Sequence, residues 1–197
     1  MKKIVKFSGV CVALACLMLP GIVKETFAGE AEVVLNGEVT ALMLDFSVPS
    51  TLEFVINPNA TESDKVFVAP EFEVENKSGA PMSVSISKFE NNGGHVFTDV
   101  LPSEHADWTT LGVEGSTRDL ALGVTIDPLG TNDWYETTGA ATDTIYAKQV
   151  QDGSAPILVG GVKPNSSVHL GLTASHGYSF NGPLTTKYLV TFIFEIL

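Results

Sequence analysis

The stretch MSVSIS, residues 82–87, alternates apolar and polar side chains with a period of two. Successive residues of a β-strand point to opposite faces of a sheet, so this alternation predicts a strand with one buried face. The three apolar side chains are expected to point inward and the three serines to face water. Residues 71–75 (EFEVE) have the same period, with carboxylates outside. Turn-forming residues 76–81 lie between the two segments and predict an antiparallel hairpin.

The same alternation recurs along the chain and predicts an all-β fold. Further strands are expected in residues 42–48, 52–56, 120–126, 157–159, 168–172 and 187–197. The last of these is apolar on both faces, which is typical of a central strand covered on both sides. About eight or nine short strands separated by Gly, Pro and Asn predict a two-sheet antiparallel sandwich, jelly-roll or immunoglobulin-like in architecture.

The first 28 residues have the layout of a cleaved signal peptide. Lysines precede an apolar run of ten residues, 10–19, and small residues end the segment. A permanent membrane helix needs about 20 apolar residues, so we expect a signal in residues 1–28 and one secreted or cell-surface domain in residues 29–197, without stable membrane insertion after cleavage. Cys16 follows Ala-Leu-Ala, which leaves lipidation open as an alternative.

Cysteine and charge content limit the partners of the secreted domain. Cys11 and Cys16 are the two cysteines of the chain, and both lie in the predicted signal, so the domain must fold through its core without disulfides. The formal net charge is −12, and loss of the lysine-rich signal would make the domain more acidic still. Such a surface repels phosphate backbones, which excludes nucleic acid as a partner. It favours solubility or attraction to divalent cations and basic surfaces.

Catalytic motifs are missing from the sequence. It contains neither Gly-x-Ser-x-Gly nor His-Glu-x-x-His, and the spacing of its histidines does not form a local zinc site. We therefore expect no catalytic residue and a protein that is not an enzyme. A hydrolase whose site is assembled from distant segments stays open as an alternative.

One acidic segment after a predicted strand is a candidate calcium site. Calcium takes oxygen ligands and is plentiful outside cells, and the candidate ligands are Asp127, Asn132, Asp133 and Glu136. The alternative is a plain turn in which Asp127 accepts hydrogen bonds from nearby backbone. No other cofactor is expected.

Three aromatic residues lie in polar surroundings outside the clear strands: Trp108, Trp134 and Tyr135. Exposed, these rings would stack on a sugar or anchor a protein interface. The alternative is that they cap an end of the core, since tryptophan is highly buried on average.

The segment that would follow signal cleavage is a candidate for strand donation. Its apolar residues Val33, Leu35 and Val39 lie in a short stretch, 32–39, that could pair within its own sheet or add a strand to a neighbouring molecule. Asn36-Gly37 suits a tight hairpin turn and supports the first of these alternatives.

The chain resembles small secreted β-sandwich proteins of Gram-positive bacteria, the camelysin/TasA matrix proteins and WxL-type surface proteins among them. The resemblance lies in the lysine-rich signal, in LEFVINPN (residues 52–59), in residues 72–86 around NKSG, and in the terminal strand over residues 188–194. The Trp-x-Leu elements of the wall-binding family are missing, because Trp108 is followed by Thr-Thr-Leu and Trp134 by Tyr-Glu. The fibre-forming relatives imply a subunit whose N-terminal strand completes the next subunit.

These observations predict a secreted, non-enzymatic structural protein of the cell surface or extracellular matrix, of the kind found in biofilms. Its expected partners are copies of itself or other surface proteins. A carbohydrate-binding or adhesive module is the alternative from another class.

Overall fold

A computed structural model of the chain describes residues 43–60, 66–141, 143–150 and 155–197. The predicted signal peptide and the predicted strand-donating residues Val33, Leu35 and Val39 lie outside these ranges. The described residues belong to one compact unit, Leu42–Leu197, and are mostly β-strand. This content confirms the predicted all-β class. No helix in the described ranges is both long and apolar enough to cross a membrane.

Eleven strands lie in the described ranges, four of them only two residues long. They are β1 (Phe46–Ser47), β2 (Val55–Ile56), β3 (Phe67–Val68), β4 (Phe72–Asn76), β5 (Met82–Gly94), β6 (Thr98–Asp99), β7 (Asp119–Ile126), β8 (Thr144–Tyr146), β9 (Ile157–Val162), β10 (Ser166–His176) and β11 (Thr186–Ile196). The short helix α1 (Val113–Arg118) precedes β7, and single 3-10 turns cover Pro102–Glu104, Trp108–Thr110 and Ala147–Gln149.

The larger sheet has six strands in the order β1-β4-β10-β7-β6, with β8 also paired to β7. All its pairs are antiparallel except β6 with β7. The long strand β10 holds this sheet together, because its first half pairs with β4 and its second half with β7. The register passes from one neighbour to the other at Leu170, which is opposite Phe72 in β4 and Ile126 in β7.

The second sheet has three strands in the order β11-β5-β9, all antiparallel. β5 contains the MSVSIS stretch, and its three apolar side chains are completely buried, as predicted. Ser83 is also buried, and its hydroxyl donates to the Glu195 carbonyl at 3.4 Å, so only two of the three serines remain accessible. A separate two-stranded ladder joins β2 and β3.

The hairpin predicted from residues 71–75 and 82–87 is wrong. Both segments are strands, β4 and β5, but β4 lies in the six-stranded sheet and β5 in the three-stranded sheet. The turn-forming residues between them therefore carry the chain from one sheet to the other. Buried Asn76 fixes this crossing, because its amide Nδ2 lies within hydrogen-bond distance of the carbonyls of Ala80 (2.9 Å), Lys163 (3.1 Å) and Val162 (3.2 Å).

The prediction that the last strand is central is also wrong. β11 lies at an edge and pairs, among described strands, only with β5. None of its residues is fully buried. Of the five side chains predicted to face inward, four pack against the core (Tyr188, Val190, Phe192 and Phe194), whereas Ile196 is exposed. The strand predicted over residues 42–48 is reduced to β1.

One hydrophobic cluster receives buried side chains from both sheets. The six-stranded sheet contributes residues such as Val74, Leu122 and Leu170, and the three-stranded sheet residues such as Val84 and Val159. Each fully buried aliphatic side chain stabilises the fold by about 1.5–3 kcal/mol. This shared cluster is the main stabilising contact of a chain whose described residues contain no cysteine.

Candidate functional site

Asp127 lies in a tight turn immediately after β7. Its φ of 66° places it in the left-handed region, which aspartate tolerates better than most residues. Its Oδ1 accepts hydrogen bonds from the backbone N–H groups of Thr131 (2.8 Å) and Asn132 (3.1 Å). This is the arrangement that the turn alternative predicts.

The other three calcium candidates have separate partners. Asn132 makes two hydrogen bonds with the backbone of His169 in β10, both 2.7 Å long. Asp133 forms an ion pair with Lys163. Glu136 Oε1 accepts from the backbone N–H of Thr138 at 2.8 Å. Hydrogen bonding from the Thr138 side chain, together with this backbone bond, holds the pKa of the Glu136 carboxyl below its usual value. The described residues hold no group of three or more His, Cys, Asp or Glu arranged around a common point.

Trp134 lies against the second sheet. Its ring covers Gly160 of β9, where a Cβ would approach the ring to 2.6 Å and where φ is +155°. The ring is partly buried and packs against the core, which agrees with the core-capping alternative. The next residue, Tyr135, is 53% exposed.

The segment that carries Trp134 also covers the outer edge of β9. The Tyr135 N–H donates to the Gly161 carbonyl, and the Gly161 N–H donates to the Glu136 carbonyl, each at 2.7 Å. Further along, the Ala141 N–H donates to the Leu158 carbonyl at 2.9 Å. This edge of the three-stranded sheet is thus satisfied by the chain itself.

Trp108 is held within its own loop. Its Nε1–H donates to the Pro102 carbonyl at 3.0 Å, and its ring lies edge-on to His105, with centroids 4.6 Å apart. One side of the indole lines a small cavity of about 190 Å³ together with Phe67, His176 and others. Trp108 and Trp134 therefore pack against different parts of the fold.

A buried carboxylate anchors the loop of Trp108 to β7. Asp119 receives two hydrogen bonds from Arg118, at 2.8 and 2.9 Å, and its Oδ2 lies 3.0 Å from His105 Nε2. The Arg118 hydrogen bonds in particular hold the pKa of the Asp119 carboxyl below its usual value. Both carboxylate oxygens of Asp119 thus bind the Arg118 guanidinium, and one of them also contacts His105. The His105–Asp119 contact therefore holds the loop of Trp108 at the start of β7.

The outer edge of β11 is the most unusual feature of the described surface. Its central seven residues, YLVTFIF, contain no charge and no proline, although such residues are the common protection of edge strands. Two register irregularities lie in this ladder, but the extra residues, Ser87 and Asn92, belong to β5. β11 therefore stays continuous, with an exposed apolar residue in Leu189 (42% exposed).

A groove with a volume of about 700 Å³ lies between the β2–β3 ladder and the loop 177–185. Phe54 and Phe180 contribute rings to its wall, and Tyr178, 38% exposed, lies beside them. Sequence analysis did not single out Tyr178 or Phe180. The available signal was the run GYSFNGP, residues 177–183, in which two aromatic residues stand in an evident loop.

Trp108 and Trp134 thus lie in different parts of the fold, and the four candidate calcium ligands have separate partners. Within the described ranges, the β11 edge of the three-stranded sheet is unpaired, and an aromatic groove lies beside the β2–β3 ladder. The comparisons add no family to this description: no protein-family model, no curated protein and no solved structure matches the chain.

Proposed function

We propose that this chain is a secreted, non-enzymatic structural protein of the cell surface or extracellular matrix. Its two sheets would face each other as an antiparallel sandwich, jelly-roll or immunoglobulin-like, around the cluster to which both contribute. The predicted signal peptide supports export, and the acidic composition supports solubility outside the cell.

The single observation that carries this proposal is the open edge of β11. An unpaired strand edge presents a row of backbone N–H and C=O groups, which is the template that an added strand needs. The opposite edge of the same sheet is covered by residues 135–141 through three backbone hydrogen bonds. The β9 edge of this sheet is therefore covered, and within the described ranges only its β11 edge is left to accept a partner.

The proposed donor is the segment 32–39 of a second copy. It contains no proline, and Val33, Leu35 and Val39 supply apolar side chains to a strand that would lie beside β11. Addition of this strand would satisfy the edge and would link subunits in a chain, since each molecule has one donor and one acceptor.

A cross-linking experiment tests this pairing directly. The secreted form has no cysteine after the predicted cleavage, so single-cysteine variants report cleanly. We expect a disulfide-linked dimer when Leu35→Cys is mixed with one of a set of β11 variants (Lys187→Cys, Leu189→Cys or Thr191→Cys). Because each variant carries a single cysteine, a disulfide that joins the two different variants must join two separate molecules. Thr137→Cys, exposed beside the covered edge of β9, is the matched control and should give no heterodimer.

Electron microscopy tests assembly itself. Negatively stained protein should form fibres, and deletion of residues 29–36 should abolish them without loss of the β-sheet circular dichroism. Discrete monomers over a wide concentration range, with and without calcium, would contradict the structural proposal. Fibres that survive the deletion would contradict strand donation alone.

A further inference from the structure

The groove between the β2–β3 ladder and the loop 177–185 has the size and shape of a ligand site. Its volume of about 700 Å³ lies within the range of about 300–1,000 Å³ that is typical of pockets for small molecules. Phe54 packs against Phe67 of the neighbouring strand, with ring centroids 5.7 Å apart, so the aromatic wall is continuous with a second ring.

Tyr178, at the entrance, is held in place by its neighbours. Its ring lies over His176, with centroids 5.3 Å apart. Gly177 touches Ser116 of α1 so closely that a Cβ would overlap it, and Ser116 Oγ accepts from the Ser179 N–H at 3.1 Å. The loop that carries Tyr178 is thus fixed on both sides of this residue.

The far end of the same loop is also fixed. The Thr185 carbonyl accepts a hydrogen bond from the His95 N–H at 2.6 Å, and the Thr186 hydroxyl accepts from Asn91 Nδ2 at 2.9 Å. Gly94, with φ of +77°, lies against the Thr185 carbonyl where a side chain would not fit. A wall that is held at both ends is preorganised, and preorganisation reduces the entropy lost on binding.

The chemistry of the lining selects the ligand. The residues that line the groove in the described part of the chain include no charged side chain, although the chain carries a formal net charge of −12. Aromatic rings line it together with Asn57, Asn59 and Thr185, which carry neutral polar groups. A ligand with both an apolar face and neutral hydroxyl groups matches this mixture, and an anion would be repelled by the protein as a whole.

We propose that this groove binds a neutral oligosaccharide. The apolar face of one sugar ring would stack on Tyr178, and the hydroxyl groups would bond to the amides of Asn57 and Asn59. This role is separate from strand addition at β11 and differs from the predicted aromatic site, since none of Trp108, Trp134 and Tyr135 lines the groove.

Isothermal titration calorimetry with defined hexasaccharides tests the inference. The probes are cellohexaose, chitohexaose and mannohexaose, with hexagalacturonate as the acidic comparison. We expect at least one neutral hexasaccharide to bind and the acidic one to bind more weakly. Tyr178→Ala should weaken binding about tenfold, because the stacking surface is lost, and Tyr178→Phe should retain it. Tyr135→Ala, which removes a more exposed ring elsewhere, should bind as the wild type does.

A second variant keeps the binding test valid if Tyr178→Ala fails to fold. Gly182 lines the groove, and a Cβ added there would have no heavy atom within 4 Å, so Gly182→Trp places a bulky side chain at the groove and should weaken binding strongly. The proposal is overturned if no neutral hexasaccharide binds, if the acidic one binds more tightly, or if Gly182→Trp binds with wild-type affinity.

Discussion

The buried amide of Asn76 gives the sharpest test of how the two sheets are joined. Its Nδ2 faces three carbonyls, and its Oδ1 accepts from the Ser78 N–H at 2.9 Å. Asn76→Ala removes this donor and acceptor from a fully buried position. Its Nδ2 has two hydrogens to donate and its Oδ1 accepts one bond, so three hydrogen bonds are lost; at roughly 0.5–1.5 kcal/mol each, they predict a loss of about 1.5–4.5 kcal/mol in the free energy of unfolding.

Asn76→Asp should cost more than Asn76→Ala at neutral pH. A carboxylate has no hydrogen to donate, so a buried negative charge would face the same three carbonyls. Below the pKa of the new carboxyl the acid regains one donor, and the difference between the two variants should close. Both effects are measured by urea denaturation followed by tryptophan fluorescence at pH 7 and in acid, with m compared between variants.

Asn181→Ala is the matched control, because Asn181 is exposed in the loop 177–185 and should change stability by less than about 0.5 kcal/mol. Two results would refute this role of Asn76. The first is a loss in the free energy of unfolding for Asn76→Ala that exceeds the loss for Asn181→Ala by less than about 1 kcal/mol. The second is an Asn76→Asp variant that is as stable as Asn76→Ala at pH 7.

Two further predictions concern packing and charge. Gly160→Ala should destabilise the protein by ~3 kcal/mol, since φ is +155° and the new Cβ would lie 2.6 Å from the Trp134 ring. Gly79→Ala is the control: a Cβ there has no atom within 4 Å, so this variant should be nearly neutral in the same denaturation assay. Asp119→Asn should lower the free energy of unfolding by ~2 kcal/mol at pH 7, because the charged hydrogen bonds to Arg118 are lost. The pKa of Asp119 is lowered in the fold, so the greater stability of the wild type over Asp119→Asn should be fully present above pH 3.8, the usual pKa of an aspartate, and should be lost as the pH falls below that value. A stability difference that does not change with pH would contradict this prediction.

The alternation of side chains predicted which face of each strand is buried but not which strands are neighbours. MSVSIS and EFEVE were placed correctly as strands, and their apolar faces do point into the core. Their pairing was wrong because a six-residue link between strands fits a hairpin as well as a crossing between sheets. The buried side chain that decides between these, Asn76, looks like an ordinary turn residue in the sequence.

The apolar content of β11 was misleading for a related reason. Val190 and Phe192 pack inward as predicted, but residues on the other face, such as Leu189, remain exposed. Apolar residues on both faces are expected for a strand covered by two layers and also for an edge that awaits a partner. Local sequence does not distinguish the two cases, because hydrogen-bonded neighbours come from distant segments.

The groove could not have been predicted from spacing. Phe54 was expected only as a core residue of its strand, and Tyr178 lies more than a hundred residues further along the chain. What brings them together is the packing of the β2–β3 ladder beside the loop 177–185. The turn at Asp127, in contrast, depends on neighbouring residues alone, and local turn chemistry anticipated it.

The position of β5 has a consequence for folding kinetics. Both of its neighbours follow it in the chain, since Met82 pairs with Val162 and with Ile196, the last strand residue. Synthesis at about 5–20 residues per second leaves the apolar stretch of β5 without partners for several seconds. Folds dominated by such distant pairs form over roughly milliseconds to seconds. The three-stranded sheet is therefore completed only after β11 has been synthesised.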